Sequence, residues 1–365
     1  MIETERDEVS ERFLVGAFDN DGSLMSKGTF RYRNTAFGSG YVKTMTAGAV
    51  ATPVHLRRGG NVRRMFSYMH ERAYEDGVAV AILHPFSFSY YNKFGYERVA
   101  DHLIARLPIS KLDFVPRECR LIPYREEAAC DLAAIYGRFA RGRRLLFERK
   151  SPEQFGRPAG SVTYVYYEGK LPLGYITYTT EKTLKTNHYE DGVMYVHELV
   201  YTSPESLCAL LSFIRMFEGE LEEVEFKNIA MSPEADLILR HYTHTRYRVL
   251  PDVSAKVINT ELMLAAADYP SREWDVTLKI PEGDEGVMGT FKVEYGGGDS
   301  KVTRLPDTAD ADVTLSPLAL PRILYGHDGL SLETLPYVDG IRIEGCAEKL
   351  LAAFPKRSAG IFEHF

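Results

Sequence analysis

The sequence predicts an α/β protein with mixed sheets, built from two similar blocks and a third block that is rich in strands. Three observations predict this fold class. Strands, a glycine-rich loop, an amphipathic helix and a buried strand follow one another in the first block. The same order of elements recurs after Pro116, and from about Ala255 the pattern changes to strands and turns. At about 150 residues per domain, we expect three domains, at residues 1–112, 113–254 and 255–365.

The first block opens with hairpin strands. The segments F-L-V-G-A-F and L-M-S-K-G-T-F-R-Y-R flank a D-N-D-G turn at 19–22, and another strand covers 40–52. Residues 61–77 predict an amphipathic helix, because apolar residues fall on one stripe at helical spacing. The stripe consists of Val62, Met65, Phe66, Met69 and Ala73. A buried strand at 78–83, a short aromatic helix at 86–94 and a strand at 96–107 complete the block.

The second and third blocks follow with less regular patterns. The second has a helix at 126–139, strands at 162–167, 174–180 and 194–202, and a helix at 206–217. It is therefore interpreted as a diverged copy of the first block. The third has turns at 281–286 and 296–298, and helical stretches near 315–324 and 346–354.

The composition excludes several classes of protein. With 45% hydrophobic and 26% charged residues, the chain is typical of a soluble globular protein. The longest apolar run, at 78–83, is far shorter than the ~18 residues that span a bilayer, and the acidic start lacks the apolar region of a secretory signal. We therefore expect a cytoplasmic protein without a membrane partner. Four cysteines without a C-x-x-C spacing, and His241 and His244 without a third ligand, favour the absence of a metal.

Charge is distributed unevenly along the chain. The net charge of −7 argues against binding of nucleic acid, which needs a concentrated basic face. The net charges are +3 for residues 1–112, −2 for 113–250 and −8 for 251–365. The first block could therefore hold an anionic cofactor, and the acidic remainder could attract a cationic substrate. Solvated acidic surface is the other explanation of this gradient.

The most informative segment is V-A-T-P-V-H-L-R-R-G-G-N-V-R-R-M-F at 50–66. Two glycines between a strand and a helix let main-chain N–H groups converge on one point, where the helix dipole also favours an anion. Nearby arginines would add charge-assisted contacts to phosphates, namely Arg57, Arg58, Arg63 and Arg64. The loop is neither G-x-x-x-x-G-K-[ST] nor G-x-G-x-x-G. It predicts a pyrophosphate site, and a plain strand-to-helix turn with solvated arginines is the alternative.

Two motifs together resemble those of a known enzyme family. An R-x-x-G-x-V loop at 57–62 is followed by Y-x-x-F-G-Y at 91–96. This pair resembles the GNAT N-acetyltransferases and, more narrowly, the enhanced-intracellular-survival (Eis) family of tandem acetyltransferases, over nearly the whole chain. The resemblance implies two tandem GNAT folds, the second degenerate, followed by a sterol-carrier-protein-like α+β domain.

The resemblance also implies which residues bind acetyl-CoA. Main-chain groups of Val50, Ala51 and Thr52 would face the pantetheine and the acetyl group. The residues that hold the pyrophosphate would be Arg58, Gly59, Gly60, Asn61, Val62 and Arg63, with Phe86 and Ser87 lining the far side.

The same resemblance makes Tyr91 the general acid. Acetyl transfer from a thioester to an amine needs a neutral amine, a donor for the carbonyl oxygen and a proton for the departing thiolate. A tyrosine, with a reference pKa of ~10, can donate that proton. Most of the 23 tyrosines are expected only to pack, and Tyr90 and Tyr96 are expected to be such packing neighbours.

The sequence given ends on I-F-E-H-F, an apolar segment that is more easily docked than frayed. In the family that it resembles, the terminal α-carboxylate enters the active site as the base, which assigns that role to Phe365. A free α-carboxyl group has a reference pKa of ~3.3–3.7, so it needs burial or a relay water to act as a base. Glu363 is the alternative carboxylate, His364 an alternative base, and a frayed terminus the structural alternative.

The second block is expected to bind no cofactor. The segment S-P-E-S-L at 203–207 stands where the loop would be, and it has neither glycine nor arginine. One acetyl-CoA site per chain is therefore expected. Family members usually begin with a further strand and helix before the point that matches Met1, so the resemblance implies either that the given sequence starts at an internal point or that part of the acceptor wall is missing.

Together these expectations describe an acetyl-CoA-dependent N-acetyltransferase. Its acceptor would be a primary amine of a small cationic molecule, aminoglycoside- or polyamine-like, or a lysine. Family analogy implies a homo-oligomer, commonly a hexamer. The alternative function is a non-catalytic binding or lipid-carrier protein that uses the C-terminal domain, and an acyltransferase for longer chains is a third reading.

Overall fold

A computed structural model describes residues 1–7, 10–155, 158–184, 190–242, 244–270, 273–363 and 365. Contacts divide the chain into two compact units. The first unit comprises 1–100, 252–359 and 363–365, and the second comprises 101–251 and 360–362. The first unit is therefore assembled from two segments that are far apart in the sequence.

Strands and helices alternate along the described residues. The strands are β1 (Ile2–Asp7), β2 (Arg12–Phe18), β3 (Leu24–Phe37), β4 (Gly40–Ala51), β5 (Val80–Leu83), β6 (Glu97–Pro108), β7 (Leu121–Pro123), β8 (Val162–Glu168), β9 (Leu171–Leu184), β10 (Glu190–Tyr201), β11 (Glu223–Phe226), β12 (Arg246–Val257), β13 (Trp274–Ile280), β14 (Gly289–Gly296), β15 (Asp299–Leu305), β16 (Val313–Leu315) and β17 (Ile341–Ile343). The helices are α1 (Asn61–Glu75), α2 (Phe88–Asn92), α3 (Ala129–Ala140), α4 (Pro204–Arg215), α5 (Pro233–Tyr242), α6 (Thr260–Ala266), α7 (Ala319–Tyr325) and α8 (Ala347–Ala353).

In the first unit, the N-terminal strands form an antiparallel ribbon in the order β1–β2–β3–β4. β5 joins this ribbon parallel to β4, and residues 254–257 of β12 pair antiparallel with the other side of β5. A parallel pair needs a crossover connection, which α1 supplies. The predicted order of hairpin strands, helix and buried strand is confirmed.

The helix α1 packs its predicted apolar stripe against this sheet. The buried members of the stripe are Met65, Phe66, Met69 and Ala73, and Val62 is half-buried. Each fully buried large apolar side chain stabilises the fold by about 1.5–3 kcal/mol, so this face anchors the helix. The helix ends at Glu75, and Gly77, with a φ of 72°, lets the chain reverse into β5.

The C-terminal part of the first unit has a sheet of its own, in the order β15–β14–β13–β16–β17. The turn before β14 docks closely on the N-terminal part. An ideal Cβ on Gly286 would lie 2.3 Å from the carbonyl oxygen of Ile258 and 2.5 Å from the ring of Tyr74. In the same turn, Asp284 forms an ion pair with the buried Lys256 at 2.8 Å. Glycine at position 286 is therefore required by the close approach of these elements.

The second unit repeats the plan of the first. Its strands have the order β6–β11–β10–β9–β8–β7. β9 and β10 are antiparallel, and β10 and β11 pair in parallel over 193–196 and 223–226 with α4 as the crossover. The recurrence of a hairpin, a helix and a parallel strand confirms the predicted α/β fold class and the repeated block.

β1 and β12 are among the strands that the sequence does not predict. β1 has the sequence I-E-T-E-R-D and is largely exposed, so no apolar alternation marks it. β12 spans the position near Ala255 at which the sequence suggests a new block, and its pairing with β5 links distant parts of the chain. The helical stretch predicted near 315–324 is shorter than expected, because Leu315 ends β16 and α7 begins at Ala319.

The helices are short compared with a bilayer. The helix α1 has 15 residues, whereas ~20 apolar residues are needed to span the hydrocarbon core. Within the described ranges, no helix combines the length and the apolar character that a membrane span requires.

Candidate active site

The parallel ladder between β4 and β5 stops well before β4 ends. Their pairing covers residues 44–46 of β4 and 80–82 of β5. Beyond Thr46 the ladder stops, whereas β4 continues to Ala51. The main-chain N–H and C=O groups of 47–51 that point away from β3 therefore lie on an edge that β5 does not bind, and such groups need another partner.

A β-bulge lies in this free part of β4. Two residues, Ala49 and Val50, stand opposite the single residue Gly28 of β3. Ala49 has a φ of 49°, in the left-handed region. A bulge bends its strand and redirects the amide groups, and left-handed backbone in residues other than glycine is concentrated at functional sites. The N–H groups around Val50 are therefore candidate donors to a ligand carbonyl oxygen.

The loop between β4 and α1 leads into a helix N-terminus without a side-chain cap. Arg58, with a φ of 69°, and Gly60, with a φ of 75°, both have left-handed backbone. Gly60 holds the N-cap position of α1, where no side chain bonds to the first N–H groups. These groups and the helix dipole together form an anion site. The loop predicted to hold pyrophosphate thus has a geometry that fits a phosphate group.

Basic side chains surround this helix N-terminus. The exposed arginines are Arg57, Arg58, Arg63 and Arg64. The guanidinium of Arg63 lies 5.5 Å from the ring centroid of Phe94. Asn61 is buried and its Oδ1 accepts a hydrogen bond from Arg64. Gly59 is exposed.

The structure places the other predicted acetyl-CoA residues at the same end of the first unit. Val50 and Val62 pack against the apolar cluster that contains Tyr91. The hydroxyl of Thr52 lies 2.8 Å from that of Ser26. Ala51, the last residue of β4, is exposed.

Phe86 and Ser87 lie just before α2. Phe86 is 78% exposed, and its ring meets that of Tyr91 edge-on at 5.5 Å between centroids. Ser87 is the N-cap of α2, and its hydroxyl accepts the N–H of Tyr90 at 3.4 Å. Phe86 therefore offers an exposed apolar surface, whereas the Ser87 hydroxyl already stabilises the helix.

Tyr91 is enclosed by aromatic rings. Its centroid lies 5.2 Å from that of Tyr90 and 6.0 Å from that of Phe66, and only 5% of the residue is exposed. Burial, with a smaller contribution from Tyr90, raises the pKa of Tyr91 to about 12. The phenol is therefore protonated near neutral pH. Its hydroxyl makes no hydrogen bond with the described residues, so it can donate to a ligand without losing an existing bond.

A buried polar pair lies next to this tyrosine. The hydroxyl of Tyr96 is 2.9 Å from Nε2 of His70, and both residues are buried. Burial, with a smaller contribution from the charge of Lys256, holds the pKa of His70 well below its usual range. The hydrogen bond between the neutral His70 and Tyr96 thus connects α1 with the segment that leads into β6.

The carboxyl end of the sequence lies against β4. An ideal Cβ on Gly48 would lie 3.1 Å from the carbonyl carbon of Phe365 and 3.1 Å from its oxygen. Phe365 therefore reaches the strand that carries the bulge. Burial, and then the charge of Arg31, lower the pKa of the Arg33 guanidinium. Glu363 lies close to Arg33, and its negative charge partly offsets this decrease. His364, the alternative base, lies outside the described residues.

Sequence reasoning missed two residues beside Phe365. His84, which directly follows β5, has its ring centroid 4.7 Å from that of Phe365. Nδ1 of His84 lies 2.7 Å from Oδ1 of Asp252. The pairing of β12 with β5 brings these two residues together across 168 positions in the sequence. No local motif marks such a contact, although a histidine at the end of a central parallel strand is a usable signal.

The second unit has the matching elements but a closed helix N-terminus. In β10, the register shifts between Val196 and Glu198, just after the parallel pairing with β11 ends. At the following helix, the Ser203 hydroxyl accepts the N–H of Ser206, while the Ser206 hydroxyl accepts the N–H of Ser203. This capping box satisfies N–H groups that are uncapped in α1, and Glu205 adds an acidic side chain to the first turn. The N-terminus of α4 is therefore a poor anion site.

The described part of the chain has no cluster of three or more histidine, cysteine, aspartate or glutamate side chains that could hold a metal ion. His241 lies in α5 and His244 lies beyond its end.

A parallel strand pair, a bulge in β4 and an uncapped helix N-terminus make the first unit an α/β domain with a candidate site for an anionic ligand. Family models give the particular family. One model described as an acetyltransferase (GNAT) domain matches residues 1–99, and a second model with the same description matches residues 138–257. The two matches cover more than half of the chain. The chain therefore belongs to the GNAT acyltransferases and carries two such domains in tandem.

Solved structures have the same fold over nearly the whole chain. A GCN5-related N-acetyltransferase from Anabaena variabilis has a TM-score of 0.80 at 16% identity, covering 97% of this chain and 90% of that one. A protein from Enterococcus faecalis, described as a probable N-acyltransferase, has a TM-score of 0.78 at 18% identity, with coverages of 98% and 90%. Eis1 from Mycobacterium abscessus has a TM-score of 0.74 at 18% identity, with coverages of 96% and 90%. No curated protein sequence gives a significant match.

Proposed function

We propose that the chain transfers the acetyl group of acetyl-CoA to a primary amine of a small cationic acceptor, aminoglycoside- or polyamine-like, or of a lysine. One observation carries this proposal. The free edge of β4, the uncapped N-terminus of α1 and the protonated Tyr91 all belong to the same end of the first unit. They supply an anion site for the cofactor and two of the groups that thioester aminolysis needs, namely donors to the carbonyl oxygen and a proton donor.

The α1 N-terminus would bind the pyrophosphate of acetyl-CoA. Main-chain N–H groups of the first turn would contact the phosphates, while Arg58 and Arg63 add positive charge. The residues of this subsite are Arg58, Gly59, Gly60, Asn61, Val62 and Arg63. The main chain of Val50, Ala51 and Thr52 would accompany the pantetheine along β4, and the exposed ring of Phe86 with Ser87 would border the far side.

Transfer would proceed by direct attack. The amine nitrogen forms a bond to the thioester carbonyl carbon, and the carbon–sulfur bond breaks. The carboxylate of Phe365 takes the proton that the amine loses, N–H groups of the bulge around Val50 bind the oxyanion, and Tyr91 donates to the leaving thiolate. The carboxylate then releases its proton, which restores the phenol through solvent, so that the products are an amide and a free thiol.

The pKa of Tyr91 determines how far this donation goes. A phenol with a pKa of about 12 is a weaker acid than a thiol with a reference value of ~8.5. Complete proton transfer to a free thiolate would therefore be uphill by about 5 kcal/mol. Tyr91 would act mainly by stabilising negative charge on sulfur in the transition state, and the proton transfer would be completed afterwards.

Charge supports a cationic acceptor. Residues 251–365 have a net charge of −8, and Glu363 and Asp252 lie in the same unit as Phe365. Acidic surface attracts polyamines and aminoglycosides and raises their local concentration. An amine that arrives protonated must first release that proton to solvent, and the Phe365 carboxylate then takes the proton that the neutral amine loses on attack.

The finer features of the assignment also belong to this proposal. The order of domains and the fold shared with Eis1 from Mycobacterium abscessus support an Eis-like enzyme. In that reading, residues 255–365 form a sterol-carrier-protein-like domain, the chain assembles into a homo-oligomer such as a hexamer, and the enzyme works in the cytoplasm without nucleic acid or membrane as partners.

Calorimetry and a thiol-release assay test the function together. Coenzyme A should bind with micromolar affinity and a stoichiometry of one per chain, because only α1 has an open N-terminus of the two corresponding helices. Acetyl-CoA should release free thiol when a panel of polyamines, aminoglycosides and lysine peptides is added. No binding of coenzyme A, or no thiol release with any amine, would refute the proposal.

A further inference from the structure

Gly48 has an unusual environment for a residue in the middle of a strand. A Cβ built on it would have only the carbonyl carbon and the oxygen of Phe365 within 4 Å among the described residues, each at 3.1 Å. Its φ lies outside the left-handed region, so the backbone itself does not require glycine. The space next to its Cα is therefore occupied by the carboxyl group of Phe365 instead of by a side chain.

Two further contacts keep Phe365 at this place. Its ring packs on the ring of His84 at 4.7 Å between centroids, and His84 is itself held by Asp252. Two residues earlier, the charge of Glu363 acts on the half-buried Arg33 of β3. The ring contact with His84 and the charge interaction between Glu363 and Arg33 thus hold this segment in place, and Gly48 leaves room for the carboxyl group of Phe365.

The contact between Gly48 and the carboxyl group of Phe365 lies next to the bulge in β4. Gly48 directly precedes the bulge residues Ala49 and Val50. A carboxyl group against Gly48 therefore lies within one or two residues of the N–H groups proposed to bind the thioester oxygen. An acceptor amine that donates a hydrogen bond to this carboxylate would lie near the carbonyl carbon of the thioester, as direct attack requires.

We propose that Gly48 is a positioning residue that forms the seat of the Phe365 carboxylate, and that a side chain at this position would displace the base from the reacting amine. This inference rests on the proposed function, in which that carboxylate is the base. A methyl group at 3.1 Å is closer than ordinary van der Waals contact, so the carboxylate would move by a few tenths of an ångström. Small displacements of reacting groups lower rates strongly, by up to about 100-fold for roughly 1 Å.

Gly48→Ala tests the proposal, and Gly40→Ala is its matched control. Gly40 lies in the same strand, its Cβ would meet nothing within 4 Å, and its φ is also outside the left-handed region. For Gly48→Ala we expect kcat to fall about 10-fold, in line with a sub-ångström displacement, while KM for acetyl-CoA and the melting temperature match those of Gly40→Ala. Equal kcat values in the two variants would overturn the proposal.

Carboxypeptidase supplies a readout that does not depend on catalysis. A terminus that lies in its seat is protected, so Gly48→Ala should release Phe365 several-fold faster than the wild type or Gly40→Ala does. Unchanged release would overturn the seat even if kcat fell. If the wild type shows no acetyl-CoA-dependent activity, the proposed function fails, and the release rates still decide whether Gly48 seats the terminus.

Removal of Phe365 completes the design as a double-mutant cycle. If Gly48 acts through the carboxylate, the chain that lacks Phe365 should have the same residual kcat with and without the Gly48→Ala substitution. A further 10-fold loss in the shortened chain would mean that the methyl group acts on the bulge directly, and it would overturn the positioning role.

Discussion

Replacement of Tyr91 by phenylalanine isolates the hydroxyl group from the ring. The ring contacts with Phe66, Phe86 and Tyr90 persist, and the hydroxyl has no hydrogen bond to the described residues. We therefore expect the free energy of unfolding to change by less than about 0.5 kcal/mol. A general acid contributes about 10²–10⁴-fold to a rate. Because the pKa of Tyr91 is raised to about 12, the loss in kcat should lie at or below the lower end of this range, at roughly 10–100-fold, which corresponds to about 1.4–2.7 kcal/mol.

The assay is thiol release at saturating acetyl-CoA and saturating amine, with coenzyme A affinity measured by calorimetry. Affinity should be unchanged, since the proposed phosphate site is at α1 and not at Tyr91. Tyr90→Phe is the control, because Tyr90 is the neighbouring ring and lies in the same helix. Equal turnover of Tyr91→Phe and Tyr90→Phe would refute the role of the Tyr91 hydroxyl. In the wild type, no loss of rate below about pH 11 should come from deprotonation of Tyr91, whose pKa is raised to about 12.

Three further predictions concern stability and the number of binding sites. Below pH ~6.5 the unfolded chain binds a proton on His70, whereas the buried ring of the folded chain does not, so the free energy of unfolding should decrease by up to about 1.4 kcal/mol for each unit by which the pH is lowered. In denaturant titrations from pH 5 to 7, His70→Gln should reduce this slope, and an identical slope would contradict the argument. Gly286→Ala should lower stability by about 1–3 kcal/mol, because its methyl group meets a carbonyl oxygen, and a melting temperature equal to that of Gly40→Ala would disprove the close approach. Ser203→Ala should cost about 1 kcal/mol through the lost cap in an unfolding titration, and weaker binding of coenzyme A to this variant in calorimetry would contradict a single site in the first unit.

The sequence predicts the elements whose signals are local. The apolar stripe from Val62 to Ala73 gives α1, because the core selects one face of a helix. The glycines before Asn61 give the open helix N-terminus, since left-handed backbone at Gly60 favours a residue without Cβ. The serines at the start of α4 give its closed counterpart. In each case a few adjacent residues determine the backbone geometry.

The remaining features depend on contacts between distant residues. β1 has no apolar alternation and is formed only by pairing with β2. His84 and Asp252 meet only because β12 lies beside β5. The need for glycine at position 48 arises from Phe365, more than 300 positions away. Such features follow from topology, which a single sequence does not display.

The pairing of β5 has a consequence for synthesis on the ribosome. Its neighbours are β4, made just before it, and residues 254–257, which emerge only after about 170 further residues, or roughly 10–30 s of translation. Until then the apolar segment V-A-I-L has unpaired main-chain N–H and C=O groups along one edge. These groups are a template for pairing with another nascent chain. A chaperone that shields this edge during translation should therefore raise the yield of native enzyme, and fragments that stop before residue 250 should aggregate.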